Sequence, residues 1–341
     1  MSFAVRRVVV PAAGALLLSS ACDRTASRAH EDAPASAASA ASTVRVVDDA
    51  GDTTTLTRPA SRIVSLNPAT TEFLVTMGAT ARVVGRTTWD TYPAAAASIP
   101  DVGPGIRPNV EAVLATRPDL VLLYATDDNR AAAARLRAAG VPVLALRVDR
   151  IEQFAATATV LGRVLGDSVG AALVRDSVLA SIARAAALAR SAVAAPGAST
   201  GASPGASTGA DTRETSRVTV AWRLWEQPLI VLGAGSFLSQ LIDSVGARNA
   251  FGDLPAPSPQ VGFESLVARD PWVLVVGPRA RDRVLADPRY RALAAVRAGR
   301  VIVADTALTG RPGVRMGEAA QWLVRTLRAL ETARGTPAGT P

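Results

Sequence analysis

DRIEQFAATATVLGRVLGDSVGAALVRDSVLASIARAAALARSAVA, residues 149–194, is the stretch that decides the fold of this chain. Its apolar residues recur at helical spacing, and Gly166 followed by Asp167 divides it into two helical pieces. We expect Asp149 to cap the first piece, with Glu152 in the reciprocal capping position. The second piece is roughly 40 Å long at the α-helical rise. A helix of that length can brace two lobes.

Alternating strand and helix patterns flank this stretch on both sides. They occupy residues 44–149 before it and residues 217–334 after it. Such alternation implies a mostly parallel sheet covered by helices. We therefore predict an α/β protein with an N-terminal lobe over residues 44–149, a backbone helix over residues 150–194 and a C-terminal lobe over residues 217–334.

A short repeat links the two lobes. Glu111, Ala115 and Pro118 stand at offsets zero, four and seven before an apolar run. Glu264, Ala268 and Pro271 stand at the same offsets before a second apolar run. Each glutamate falls in the first turn of a short predicted helix. The repeat favours two equivalent lobes.

The N-terminus has the features of an export signal. Arg6 and Arg7 precede an apolar run, and small residues lead up to Cys22, the single cysteine of the chain. We interpret residues 1–22 as a lipoprotein signal peptide, with Cys22 as the lipidated residue; the alternative is a free thiol after an ordinary signal peptide. Residues 23–43 are rich in Ala and Ser and predict a flexible tether.

Composition limits the chemistry. All 37 basic residues are arginine, the net charge is +8, and the one histidine, His30, lies in the tether. A chain without lysine has no Walker-type phosphate loop, and a body without histidine has no Ser–His pair. We expect no enzyme, no intrinsic cofactor, no metal held by protein side chains, and no nucleic-acid partner. Residues 195–216 predict a low-complexity disordered insertion, and residues 335–341 a disordered tail.

Several motifs in a fixed order resemble one protein family. They include RIVSLNPATTE at residues 62–72, WDTYP at 89–93, NVE at 109–111, RPDLV at 117–121, GARN at 246–249 and RPGVR at 311–315. This order is similar to that of the cobalamin and iron-siderophore family of bacterial ABC-transporter substrate-binding proteins, over about residues 44–333. The resemblance implies two Rossmann-like lobes with mostly parallel sheets, one long rigid backbone helix, and a ligand cleft between the lobes.

The resemblance also implies partners and a location. Such a receptor delivers its ligand to a permease dimer driven by cytoplasmic ATPase subunits, and one glutamate on each lobe docks on permease arginines. By motif these are Glu111 and Glu264. A carboxylate at a helix N-terminus is favoured by the helix dipole and is available for bidentate pairing with arginine. We expect a monomer in the cell envelope, on the extracytoplasmic face, anchored through Cys22.

Ligand contacts are expected on the loops that follow the strands. Aromatic faces suit a large flat ligand, and arginines suit carboxylates, catecholates or phosphates. The candidates are Asn67, Thr70, Trp89, Tyr92, Trp222, Trp225, Arg311 and Arg315.

The identity of the ligand stays open between a corrinoid, haem and a ferric siderophore. Tyr92 beside Pro93 is similar to the cobalamin-binding members, and it could also serve as an axial ligand of haem iron. Cobalamin-binding members carry tryptophans just ahead of the docking glutamates, whereas residues 103–108 and 255–260 contain none. A surface-anchored sensor or scaffold of the same fold is the alternative function.

Overall fold

The computed structural model describes residues 43–193 and 218–335. The predicted signal peptide with Cys22, most of the tether with His30, and the insertion at 195–216 lie outside the described residues. The first half opens with an antiparallel hairpin of β1 (Val44–Val47) and β2 (Thr53–Leu56). A four-stranded sheet follows, built from β3 (Ile63–Leu66), β4 (Val83–Gly85), β5 (Leu120–Tyr124) and β6 (Val143–Leu146).

All pairings in this first sheet are parallel, in the order β4-β3-β5-β6. Its strands are almost wholly buried, as expected for a parallel sheet with both faces covered. The covering helices are α1 (Pro68–Thr76), α2 (Val110–Ala115) and α3 (Asp127–Ala138). Asn67 and Asn109 cap α1 and α2 through their side-chain oxygens, which fixes where each helix leaves the sheet.

The connecting segment consists of two helices, α4 (Ile151–Leu165) and α5 (Ser168–Val193). The break at Gly166 is as predicted, but α4 does not extend α5 as a rod. The two helices pack side by side and run in opposite directions. Two contacts show this: a Cβ placed on Gly162 would lie 2.7 Å from the Ala171 Cβ, and Arg175 Nη1 lies 3.4 Å from Thr159 Oγ1. The long helix is therefore α5 alone, about 39 Å in length.

The predicted cap of α4 is corrected by the structure. Arg150 is the N-cap residue, and the Gln153 side chain accepts the backbone N–H groups of Asp149 and Arg150 at 2.8 and 3.1 Å. Asp149 instead accepts a hydrogen bond from the hydroxyl of Tyr124. Gln153 thus fills the reciprocal role that the sequence suggested for Glu152.

The second half contains a separate five-stranded sheet. Its main path is β11-β10-β7-β8, and β9 pairs with the start of β7. Every pairing is parallel except that of β7 with β8. The strands are β7 (Thr219–Trp225), β8 (Ile230–Val231), β9 (Arg248–Asn249), β10 (Val273–Val276) and β11 (Val301–Val303). Their helices are α6 (Phe237–Ser244), α7 (Phe263–Arg269), α8 (Arg281–Ala286), α9 (Ala294–Arg297), α10 (Thr306–Thr309) and α11 (Met316–Gly335).

The predicted fold class is thereby confirmed: two mostly parallel sheets flanked by helices, with one long helix between them. One hydrophobic core runs from Leu120 of the first sheet, through Leu161 and Ile182 of the connecting helices, to Val220 of the second sheet. None of the helices in the described ranges is long and apolar enough to cross a membrane.

Hydrogen bonds tie the start of α4 to α6 of the second half. The Gln240 side chain donates to Glu152 at 2.7 Å and accepts from the backbone of Ile151 at 2.8 Å. The backbone N–H of Phe237 donates to the carbonyl of Asp149 at 2.6 Å. These bonds, together with the shared core, fix the orientation of one sheet against the other.

Candidate functional site

The loop between β4 and α2 presents the first aromatic side chains of the site. Trp89 is 67% exposed, and its neighbour Asp90 is buried. The Asp90 carboxylate accepts the backbone N–H of Thr87 at 2.6 Å and the hydroxyl of Thr71 at 3.2 Å. Because Asp90 is held inside the protein, the indole of Trp89 is held outside, at the carboxyl ends of the first sheet.

Arg311 connects this loop to the second half of the chain. Its Nη1 donates to the carbonyl of Trp89 and pairs with Oε1 of Glu72, both at 3.3 Å. Glu72 lies in α1, and its side chain is only 2% exposed. A Cβ on Gly313 would lie 2.0 Å from Glu72 Oε2, so the backbone after Arg311 passes directly over this carboxylate. Arg311 is therefore a contact between the two halves, made through its Nη1 atom.

Burial dominates the electrostatics of the two carboxyl groups beside Arg311. It raises the pKa of Glu72 to about 7, and it outweighs the attraction of Arg311, which acts in the opposite direction. Burial also raises the pKa of Asp90, against the hydrogen bonds from Thr87 and Thr71. One oxygen of each carboxyl group, Oε2 of Glu72 and Oδ1 of Asp90, has no hydrogen-bond partner in the part of the chain that is described.

Arg315 and Tyr92 form a second contact between the halves. The guanidinium of Arg315 lies 4.6 Å from the centroid of the half-buried Tyr92 ring, a cation–π geometry. The same guanidinium donates to Glu318 at 2.8 and 3.1 Å. The structure thus brings Trp89, Tyr92, Arg311 and Arg315 together, as the sequence predicted for ligand contacts, and it adds Glu72 and Asp90 behind them.

The second half contributes an exposed aromatic surface at the carboxyl end of β7. Trp225 is 63% exposed, and its Nε1 donates to the carbonyl of Gln227 at 3.1 Å. Leu224 beside it is also exposed. Behind them the buried Arg223 donates to the hydroxyl of Tyr290 at 2.7 Å. Trp225 is therefore free to present its ring outward.

Three of the predicted contacts are corrected to scaffold residues. Asn67 is buried and caps α1 through the backbone of Ala69 at 3.0 Å. Thr70 is buried against the hydroxyl of Ser65 at 2.7 Å. Trp222 is 3% exposed, and its ring centroid lies 5.9 Å from that of Trp322. A side chain with its polar atoms bonded inside the fold, or its ring packed in the core, has no surface left for a ligand.

The two glutamates of the repeat occupy the same position in their helices. Glu111 lies in the first turn of α2, exposed, with Oε1 3.1 Å from Nη2 of Arg135. Glu264 lies in the first turn of α7 and is exposed. Across the described residues, no ion pair within 4.0 Å includes Glu264. The charge of Glu111 is therefore partly neutralised by Arg135, whereas the carboxylate of Glu264 is available to pair with a partner protein.

Sequence reasoning missed Glu72, Asp90 and Arg223. A signal for Glu72 is present, since it is the one charged residue of α1 and directly precedes the apolar residues Phe73, Leu74 and Val75. Asp90 stands between the two aromatic candidates of its loop. No cluster of three or more His, Cys, Asp or Glu side chains suited to a metal ion occurs in residues 43–193 and 218–335.

Comparison with known proteins gives one consistent result. The sequence profile of the family described as "Periplasmic binding protein" matches residues 63–308. The vitamin B12-binding protein of Salmonella typhimurium is 27% identical over 223 residues, which cover 65% of this chain and 74% of that protein.

Solved structures agree. The periplasmic heme-binding protein BhuT, in complex with two hemes, is 28% identical with a TM-score of 0.62, covering 79% of this chain and 98% of that one. The periplasmic heme-binding protein RhuT from Roseiflexus sp. RS-1 is 25% identical with a TM-score of 0.65, covering 80% of this chain and 99% of that one.

Proposed function

Because this chain belongs to the periplasmic binding protein family, we propose that it is the lipid-anchored receptor of an ABC importer. In this proposal it captures a large metal complex, a corrinoid, haem or a ferric siderophore, between its two halves. It then delivers the complex to a membrane permease. The family membership itself confirms the resemblance that the sequence motifs predicted.

The observation that carries the proposal is the exposure of two tryptophans at corresponding edges of the two sheets. Trp89 follows β4 of the first sheet, and Trp225 ends β7 of the second. Tryptophan is enriched at binding surfaces, because it offers a large apolar ring together with a polar N–H group. Ligands of open parallel sheets bind beyond the carboxyl ends of the strands, which is where both rings lie.

The arginines and Tyr92 support a ligand with both a flat body and acidic groups. Arg311 contacts the carbonyl of Trp89, Arg315 lies over the ring of Tyr92, and both carry positive charge suited to carboxylates or phosphates. The Tyr92 hydroxyl could bind haem iron as a phenolate. The relatives named for vitamin B12 and for heme support the same size class of ligand.

Delivery rests on Glu111 and Glu264 in this proposal. Their equivalent places in α2 and α7 suit a pair of contacts, one on each half, with arginines of a permease dimer. Cys22 would carry the lipid that keeps the receptor at the membrane.

A ligand panel tests the proposal. The purified protein is titrated with haemin, cyanocobalamin and a ferric hydroxamate while its tryptophan fluorescence is recorded, with free N-acetyltryptophanamide as the control for light absorption by the ligands. We expect saturable quenching with one ligand per chain for at least one of the three. Absence of saturable quenching with all three would argue against a receptor for this ligand class.

A further inference from the structure

A basic surface lies at the amino ends of the strands of the first sheet, on the edge opposite the aromatic rings. A shallow cavity there is lined by Val44, Arg58, Pro59, Arg163 and Ser168. Further arginines, held by hydrogen bonds to backbone carbonyls, continue this basic surface beyond the cavity. We call it the basal surface; its basic residues are Arg45, Arg58, Arg62, Arg82, Arg117 and Arg163.

The positive charge of the basal surface is largely uncompensated. Backbone carbonyls, not carboxylates, hold three of its guanidinium groups. Arg163 donates to Arg45 at 2.8 Å, Arg82 to Leu165 at 2.7 Å, and Arg62 to the carbonyl of Arg117 at 2.9 Å. Such bonds fix the side chains without cancelling their charge.

Two carboxylates lie in or beside this surface. Asp119 is 3.8 Å from Arg58, whose side chain is itself well exposed. Asp167 accepts the backbone N–H of Gly170 at 2.8 Å and acts at the start of α5. Six arginines against two carboxylates leave the surface strongly positive.

Apolar side chains stand beside the arginines. Val169 is 74% exposed and Leu173 is 68% exposed, which is more than Trp89. They are one helical turn apart on α5, directly after the cavity residue Ser168, so they project from the same side of the helix. Exposed aliphatic side chains flanked by arginines are the composition of a surface that lies in a membrane interface.

We propose that the basal surface binds the anionic phospholipid headgroups of the bilayer that holds the receptor, with Val169 and Leu173 entering the interface. The proposal rests on the lipid anchor of the proposed function. Residue 43 enters β1 beside this surface, and a fully extended tether from Cys22 reaches at most about 75 Å. At such short range even weak attraction to the bilayer acts at high effective concentration.

This binding would orient the receptor. Trp89 and Glu111 follow strand β4 on the other edge of the same sheet, so they would face away from the bilayer while the basal surface rests on it. In that state the ligand surface is open to the surrounding solution. Delivery to a permease then requires the basal surface to release the lipid.

Orientation is measured with one fluorophore at either end of α5. The full-length protein is expressed with its leader and purified as the cell processes it, carrying Ser168→Cys or Ser191→Cys labelled with an environment-sensitive dye. Both serines are exposed, and about 35 Å of helix separates them. Vesicles containing a nitroxide-labelled lipid are added, either with 30% phosphatidylglycerol or with phosphatidylcholine alone.

We expect strong quenching of the dye at position 168 with phosphatidylglycerol vesicles, and little quenching at position 191 or with phosphatidylcholine. Arg58→Glu with Arg163→Glu, or Val169→Ser with Leu173→Ser, should raise the vesicle concentration for half-maximal quenching by about tenfold or more. The charge-matched control, Arg279→Glu with Arg281→Glu in the second half, should leave it unchanged.

Equal quenching at both positions, quenching without phosphatidylglycerol, or an equal loss in the control pair would overturn the proposal. Circular dichroism melts of each variant exclude unfolding as the cause of a loss. Ligand titrations of the same samples separate the two proposals. If the protein binds ligand but not anionic vesicles, the proposed receptor function stands and the proposed binding of lipid by the basal surface is wrong.

Discussion

The guanidinium of Arg311 pairs at 3.3 Å with the buried carboxyl group of Glu72, and this pair joins the segment before α11 to the first helix of the opposite half. Removing a carboxylate from water costs more than one partly exposed arginine returns, which is why the pKa of Glu72 is raised to about 7. The contact between the halves is therefore sensitive to pH.

Stability should fall as pH rises through the range set by Glu72. Its carboxyl group has an ordinary pKa of 4.5 and a folded-state pKa of about 7, so the folded state binds more protons than the unfolded state between these values. The free energy of unfolding then decreases between about pH 4.5 and 7, by about 3 kcal/mol on account of this group.

Glu72→Gln mimics the protonated acid and should remove that slope. Urea unfolding from pH 5 to pH 8 measures it, with the exposed Glu331→Gln as control. Asp90, whose pKa is also raised, is present in all three proteins, so their differences isolate Glu72. A wild-type protein more stable at pH 8 than Glu72→Gln would mean that the ion pair outweighs burial.

Tyr92 should distinguish haem from the other ligands. If haem is the ligand, Tyr92→Phe removes a possible phenolate ligand of the iron, and the absorption spectrum of the bound haem should change with a loss of affinity of about tenfold or more. If the ligand is a corrinoid or a siderophore, Tyr92→Phe deletes only a hydroxyl and should change affinity by less than about tenfold.

Glu111→Arg with Glu264→Arg should leave ligand affinity unchanged and stop uptake. Both carboxylates are exposed at the first turns of α2 and α7, so charge reversal there repels arginines on a partner without disturbing the core. Since Arg135 already pairs with Glu111, we expect Glu264→Arg to be the more damaging single change. Whole-cell uptake of labelled ligand measures this, with Asp282→Arg as the control; uptake at the wild-type rate in the double variant would exclude the docking role.

Cys22→Ser should release the protein from membranes. Cys22 is the single cysteine of the chain, so no other thiol can take a lipid at that position. Fractionation of cells expressing either form, followed by immunoblotting, gives the answer. If the variant stays in the membrane fraction, the anchor is not the Cys22 lipid.

The parts of the fold that could be predicted from the sequence are those set by local rules. Most strands of both sheets, the cap Asn109 and the helix break at Gly166 follow from periodicity and turn chemistry. The two-residue strand β9 and the short helices α8 and α10 were missed because so few residues carry no periodic signal.

The apolar residues Tyr290, Leu293 and Val296 have the spacing of one continuous helix over residues 290–296, but the structure does not form it. A 3-10 turn at Pro288–Ala292 and the helix α9 replace it, because Leu293 between them has an extended backbone. The packing of α4 alongside α5 was also not predictable, since it depends on the close approach of Gly162 and Ala171 in three dimensions.

The residues of the candidate site also divide into those that the local sequence predicts and those that depend on tertiary packing. Sequence position identified the loop of Trp89 and Tyr92, but not which aromatic side chains face outward. Trp222 and Trp225 lie in one strand, yet Trp222 packs on Trp322 and Trp225 is exposed, because α11 covers one and not the other. The pair of Glu72 with Arg311 depends on tertiary structure alone.

The central claim is that one ligand is held by both halves of the chain at once. Isothermal titration of the best ligand from the panel against Trp89→Ala and Trp225→Ala tests it most directly, with the exposed Leu285→Ala as control. Because each ring lies on a different half, we predict that each tryptophan variant weakens binding by about tenfold or more, with one ligand per chain retained. If either variant binds as tightly as the wild type, the ligand is not held between the two halves.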